Sequence, residues 1–123
     1  MHFAEEQLSG RLAVRAYEQG CVTVGETVYQ TSLILTPERV IPDWRPAACE
    51  ELRQEDFEPI LSLHPEVVLL GTGGRLQFPA PALTARLLQA GAGFEVMDTA
   101  AACRTYNILL SEDRRVVAAL LLP

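Results

Sequence analysis

Two places in this sequence combine residue types that could hold a ligand. Gly71-Thr72-Gly73-Gly74 follows the continuous apolar run Val67-Val68-Leu69-Leu70 and precedes Pro79 and Pro81, which suit the opening of a helix. A glycine turn at the carboxyl end of a buried strand presents backbone amides, and open α/β sheets place ligands at such ends. The turn lacks the third glycine of a dinucleotide fingerprint and the lysine of a phosphate loop. Its plainer reading is a tight bend that glycine alone permits. The second place is Thr99-Ala-Ala-Ala-Cys-Arg-Thr-Tyr-Asn107, where Arg104 and Asn107, three residues apart, share a helix face. A guanidinium and an amide so placed could clamp a small anion. Alternatively they tie loop carbonyls together, with Arg104 paired to Asp98 or Glu95. Ala101, Thr105 and Ile108 form another face, expected to pack on a sheet.

Other chemistry is thinly supported. Cys21, Cys49 and Cys103 are widely spaced, without a C-x-x-C pair or a neighbouring histidine to complete a zinc set, so no metal site is expected and reduced thiols are. Cys103 reads as a small buried hydrophobe rather than a nucleophile, because neither His2 nor His64 is placed as its base. Tyr106 reads as core with its hydroxyl satisfied. The acids Glu50, Glu51, Glu55, Asp56 and Glu58 gather before and within a short helix, which dipole placement and solvation explain. No cofactor is implied.

The 123 residues, 49% of them hydrophobic, suffice for one sizeable core. Sixteen acidic against ten basic residues leave a net charge of −6, which disfavours nucleic acid and anionic lipid as partners. The arginines occur singly or in pairs, as on a solvated surface. The N-terminal MHFAEEQLSG carries acids where a targeting peptide needs positive charge, and no stretch reaches the roughly twenty apolar residues of a membrane span. A cytoplasmic protein is therefore expected.

Residues 1–11 read as a loosely held lead-in and 12–123 as one domain. Leu12, Val14 and Ala16, then Val22 and Val24, alternate about Gly20 as a β hairpin. A longer strand is expected from Thr27 to Thr36, ended by Pro37, and a short one at Val40-Ile41. The proline-rich stretch Pro42–Pro46 is a loop. A short helix from Glu55 ends at Pro65; Val67–Leu70, a helix opened by Pro79 and Pro81, and Phe94–Met97 make a β-α-β unit with parallel strands, with Gly91 and Gly93 left-handed past the helix. A helix capped by Asp98 or Thr99 runs toward Leu110, and Val116–Leu122 is the last strand. The fold class is therefore mixed α/β: a three-layer single domain whose mixed β-sheet joins an N-terminal antiparallel β hairpin to a β-α-β-α-β half.

The segments Val67–Gly73, Gly93–Leu109 and Arg115–Leu120 resemble small bacterial and archaeal domains related to the mitochondrial NADH dehydrogenase (complex I) assembly factor 3. The order GTG, EVMDT, A-x-R-T-Y-N carries the resemblance, which covers roughly residues 12 to 122. It implies a three-layer fold with a mixed sheet, a β hairpin and two or three helices. It implies no reaction; the mitochondrial relatives act by binding proteins during assembly of a respiratory complex. By position the motif residues are Gly71, Thr72, Gly73, Asp98, Thr99, Arg104, Thr105, Tyr106 and Asn107, while Arg75 and Phe78 after the turn are given no role.

Two functions follow as alternatives. The first is a non-enzymatic interaction or assembly-helper domain with another protein as partner, favoured because no acid/base pair, nucleophile with base, or metal set is identifiable. The second is a small-molecule or anion-binding protein, including an enzyme, with Gly71, Thr72, Gly73, Gly74, Asp98, Thr99, Arg104, Thr105 and Asn107 as its pocket. Oligomeric state is open; long edge strands in the hairpin region could pair between copies.

Overall fold

A computed structural model describes residues 10–123. The order of elements is β1 (Val14–Glu18), β2 (Cys21–Val24), β3 (Thr27–Tyr29), β4 (Leu33–Leu35), β5 (Val40–Ile41), α1 (Glu58–Leu61), β6 (Val67–Gly71), α2 (Pro81–Gln89), β7 (Gly93–Met97), α3 (Thr99–Ser111) and β8 (Val116–Leu120). Short 3-10 turns at Cys49–Glu51 and Gln54–Phe57 precede α1.

Strands β1, β2 and β3 form an antiparallel three-stranded sheet, and the other five form a mixed sheet in the order β5-β4-β8-β6-β7. β6 runs parallel to both β7 and β8, while β4 is antiparallel to β8. The central strands β6 and β8 are buried at every position. Alternation divides them between two cores, as strand geometry requires. Val67, Leu69, Val116, Ala118 and Leu120 face α3 and the small sheet, meeting Val14, Val22, Val24, Cys103, Tyr106 and Leu110. Val68, Leu70, Val117, Ala119 and Leu121 face Leu87 of α2, Ile60 of α1, Phe57 and Trp44. The result is the three-layer mixed α/β domain read from the sequence.

Three local expectations are corrected. The strand from Thr27 to Thr36 is broken at residues 30–32, and its halves enter different sheets: β3 pairs with β2, β4 with β5 and β8. A continuous strand could not bury β4 in the main sheet while β3 closes the hairpin. The edges of the small sheet are accordingly short, β1 having five residues and β3 three. Gly93 begins β7 and has no positive φ, whereas Gly91 takes the left-handed position at φ +83°. On α3 the face against the sheet is Thr99, Ala102, Cys103, Tyr106 and Leu110, not Ala101, Thr105 and Ile108; Ile108 is 58% exposed. The observed stripe buries more surface and gives the tyrosine hydroxyl an acceptor. Of the lead-in, residues 1–9 lie outside the described residues, while Arg11 pairs with Asp113 and donates to the Leu110 carbonyl.

The proline-rich loop is held by a buried acid. Asp56 accepts two hydrogen bonds from Arg45, at 2.9 and 2.7 Å, and one from the Arg53 amide at 2.7 Å. Trp44 donates to the Asp56 backbone carbonyl and meets Phe57 edge-on, with ring centroids 6.0 Å apart. Burial opposes ionisation of Asp56, but the bonds from Arg45 and Arg53 outweigh it and hold the carboxyl below its ordinary value. A carboxyl depressed in the folded state stabilises the fold above the ordinary carboxylate range, and that contribution vanishes as pH falls through the depressed pKa. Asp56→Asn is expected to cost about 1–3 kcal/mol near neutrality and to flatten the acid-side loss of stability, measured by urea unfolding across a pH series.

Candidate functional site

The glycine turn lies at the carboxyl ends of β6 and β8, against the first turn of α3. Gly71 is the last residue of β6, and a Cβ there would stand 2.9 Å from the Thr99 Cα and 3.1 Å from the Ala102 Cβ. Only glycine admits so close an approach of helix to strand. Gly73 has φ +94°, and a Cβ on it would meet the Pro123 ring at 2.8 Å. Both glycines are therefore demanded by packing.

The amides of Thr72 and Gly73 and the Thr72 hydroxyl are committed within the chain. The Thr72 amide donates to the Met97 carbonyl at 2.9 Å, and the Gly73 amide donates to the Thr99 hydroxyl at 2.7 Å. In return the Thr99 amide donates to the Gly73 carbonyl at 2.9 Å, and its hydroxyl donates to the Leu121 carbonyl at 2.9 Å. Asp98 caps α3, its carboxylate accepting from the Ala101 amide at 2.8 Å. The Thr72 hydroxyl donates to the Arg75 carbonyl at 2.7 Å and accepts from the Gln77 amide at 3.1 Å. Gly74 is exposed.

Further along α3 the expected residues separate. Asn107 faces β1: its side-chain oxygen accepts from the Val14 amide and its nitrogen donates to the Val14 carbonyl, both at 2.9 Å. The amide thus acts as one more peptide unit against the edge strand. Tyr106 donates to the Leu12 carbonyl at 2.7 Å, and burial raises its pKa above the ordinary value. Thr105 is half-buried and Arg104 exposed. Helix geometry puts Arg104 about 140° around the axis from Thr99 and Asn107 about 12 Å along it. The structure therefore brings Gly71, Thr72, Gly73, Asp98 and Thr99 together, and does not bring Asn107 to them. The expected anion cradle meets a simple difficulty, since the Thr72 and Gly73 amides and both ends of the Asn107 amide already have partners.

Among the described residues no group of three or more His, Cys, Asp or Glu side chains could hold a metal ion. Cys103 is fully buried, and burial pushes its thiol up to about 12.

Sequence reasoning gave no role to the loop that leaves the turn. Residues 74–80 carry Leu76 and Phe78, 50% and 74% exposed. The available signal was two large apolar residues between Gly74 and Pro79 that fit neither a helical nor a strand period.

A mixed five-stranded sheet covered by α3 and a small antiparallel sheet on one face, and by short helices on the other, defines a small layered α/β domain. The chain belongs to the family described as "Protein of unknown function (DUF498/DUF598)", whose model matches residues 14–121. A crystallised protein of Bordetella parapertussis shares the fold at a TM-score of 0.87 and 36% identity, over 94% of this chain and 98% of that one. The bovine protein "NADH dehydrogenase (ubiquinone) 1 alpha subcomplex assembly factor 3" is 34% identical over 107 residues, 85% of this chain and 57% of its own length. This chain thus spans just over half of that relative. A protein of Francisella tularensis named "13 kDa major membrane protein" is 26% identical over 94% of this chain and 95% of its own length. Among the described residues no helix is long and apolar enough to cross a membrane. The resemblance carried by the GTG, EVMDT and A-x-R-T-Y-N segments agrees with these relationships.

Two outcomes follow from this geometry. Asn107→Ala leaves both polar groups of Val14 without their partner and should cost about 1–3 kcal/mol; Asn107→Asp, which still accepts but cannot donate, should fall between, with earlier hydrogen exchange at the Val14 amide in both. In native protein, alkylation followed by mass spectrometry should modify half-buried Cys21 first and leave Cys103 unmodified until unfolding.

Proposed function

We propose that this protein is a non-enzymatic interaction domain that assists assembly by binding another protein through the loop of residues 74–80. The observation that carries this reading is the display of Leu76 and Phe78. Keeping large apolar side chains at 50% and 74% exposure costs free energy in water, and burial against a partner removes that cost. The loop is also pre-shaped for the task. The Thr72 hydroxyl clamps it at two points, the Arg75 carbonyl and the Gln77 amide, so little conformational freedom remains to be lost on binding. The network from Gly71 to Thr99 then serves as the rigid base from which the loop projects. The kinship with proteins named as assembly factors supports the same role. A cytoplasmic setting belongs to this proposal, consistent with three free cysteines.

The test uses the full chain as bait in extracts of its native cell, beside the double variant Leu76→Ser, Phe78→Ser. One protein should be recovered reproducibly by the wild-type chain and its recovery should fall at least ~10-fold with the variant, while the melting temperature holds. Equal recovery by both baits, or no reproducible protein with either, overturns the proposal.

A further inference from the structure

At the opposite end of the sheet from the glycine turn, a cavity of about 110 Å³ opens beside the start of β8. Its lining includes Leu63, Pro65, Val116 and Val117, with Arg39 and Arg115 also contributing. Ten of the chain's residues are basic and the net charge is −6, and four of the arginines form ion pairs with acids among the described residues. Arg11 pairs with Asp113, Arg45 with Asp56, Arg86 with Glu58 and Arg114 with Glu66. The side chains of Arg39 and Arg115 have no ion pair or hydrogen bond among the described residues. Glu38 also lines the cavity, leaving a local excess of one positive charge.

Both arginines stand on backbone that is held in place. The Thr36 hydroxyl accepts from the amides of Glu38 and Arg39 at 3.2 and 3.0 Å and donates to the Arg39 carbonyl at 3.0 Å. The Pro37 carbonyl is held by the Leu12 amide at 2.8 Å. The Arg115 carbonyl accepts from the amides of Glu66 and Val67 at 3.0 and 3.3 Å. Two guanidinium groups without partners among the described residues, fixed at their bases beside a small apolar hollow, suit a ligand with a negative head and a short hydrocarbon tail.

We infer that this cavity binds a small aliphatic monocarboxylate, its tail against Leu63, Pro65, Val116 and Val117 and its carboxylate on Arg39 and Arg115. The site is separate from the loop proposed to bind a protein, and neither reading depends on the other. A guanidinium matches a carboxylate with two parallel donors, which a point charge does not. The volume limits the tail: a cavity near 100 Å³ takes a molecule of about six heavy atoms, and butyrate is of that size.

The experiment is an amide-resolved NMR titration of the full chain with sodium butyrate, butanol and inorganic phosphate. Butyrate should give saturable shifts at Arg39, Arg115 and Val117, with a Kd on the order of 1 mM. Butanol and phosphate should bind at least ~10-fold more weakly, since each lacks one half of the ligand. Arg39→Ala and Arg115→Ala replace exposed side chains, so the fold should persist while butyrate affinity falls at least ~10-fold in each. Leu63→Phe, which narrows the hollow without touching a charge, should weaken butyrate more than phosphate. No saturable butyrate shift at these residues, equal binding of phosphate or butanol, or full affinity in both arginine variants overturns the inference.

Discussion

The close approach of the first turn of α3 to the carboxyl ends of β6 and β8 is the constraint on which the rest depends. Thr99 is completely buried, and its hydroxyl accepts from Gly73 while donating to Leu121. One side chain thereby joins the loop after β6, the end of β8 and the start of the helix. Buried polar groups must find partners or incur a desolvation penalty, and here the partners lie on three different elements. That contact is possible only because Gly71 carries no Cβ where Thr99 and Ala102 press against the strand.

Once α3 is docked in this way, the small sheet has a surface to rest on. Cys103, Tyr106 and Leu110 share a core with Val14, Val22 and Val24. The polar side chains of the same helix then fix the register, Tyr106 on the Leu12 carbonyl and Asn107 on both backbone groups of Val14. Apolar burial brings the layers together without choosing their alignment; directional hydrogen bonds to the backbone choose it. The segment A-x-R-T-Y-N is accordingly committed in large part to architecture. On the other face, the bonds from Arg45 and Arg53 to Asp56 do similar work for a loop that prolines keep out of regular structure.

With that segment occupied in holding layers together, the features facing outward differ in character. At one end of the sheet a clamped loop carries apolar side chains into solvent. At the other, two arginines without partners among the described residues flank a small hollow. The first suits a macromolecular surface and the second a small anion, and the sheet separates them.

Much of the architecture was legible in the chain. Continuous apolar runs marked β6 and β8, because a strand covered on both faces needs no polar alternation; Pro79 with Pro81, and the choice of Asp98 or Thr99 as cap, marked the starts of α2 and α3 to within a residue or two. The family kinship was legible in GTG, EVMDT and A-x-R-T-Y-N. Three things were not. Whether residues 27–36 form one strand or two depends on which sheet each half joins, and pairing partners lie far apart in sequence. The buried face of α3 was misread, since two stripes compete on a helix rich in alanine and the sheet selects between them. Above all, a glycine amide or an asparagine looks the same in sequence whether it awaits a ligand or already holds a partner within the chain; only the fold, by bringing Thr99 to Gly73 and Val14 to Asn107, decided that these groups bind the protein to itself.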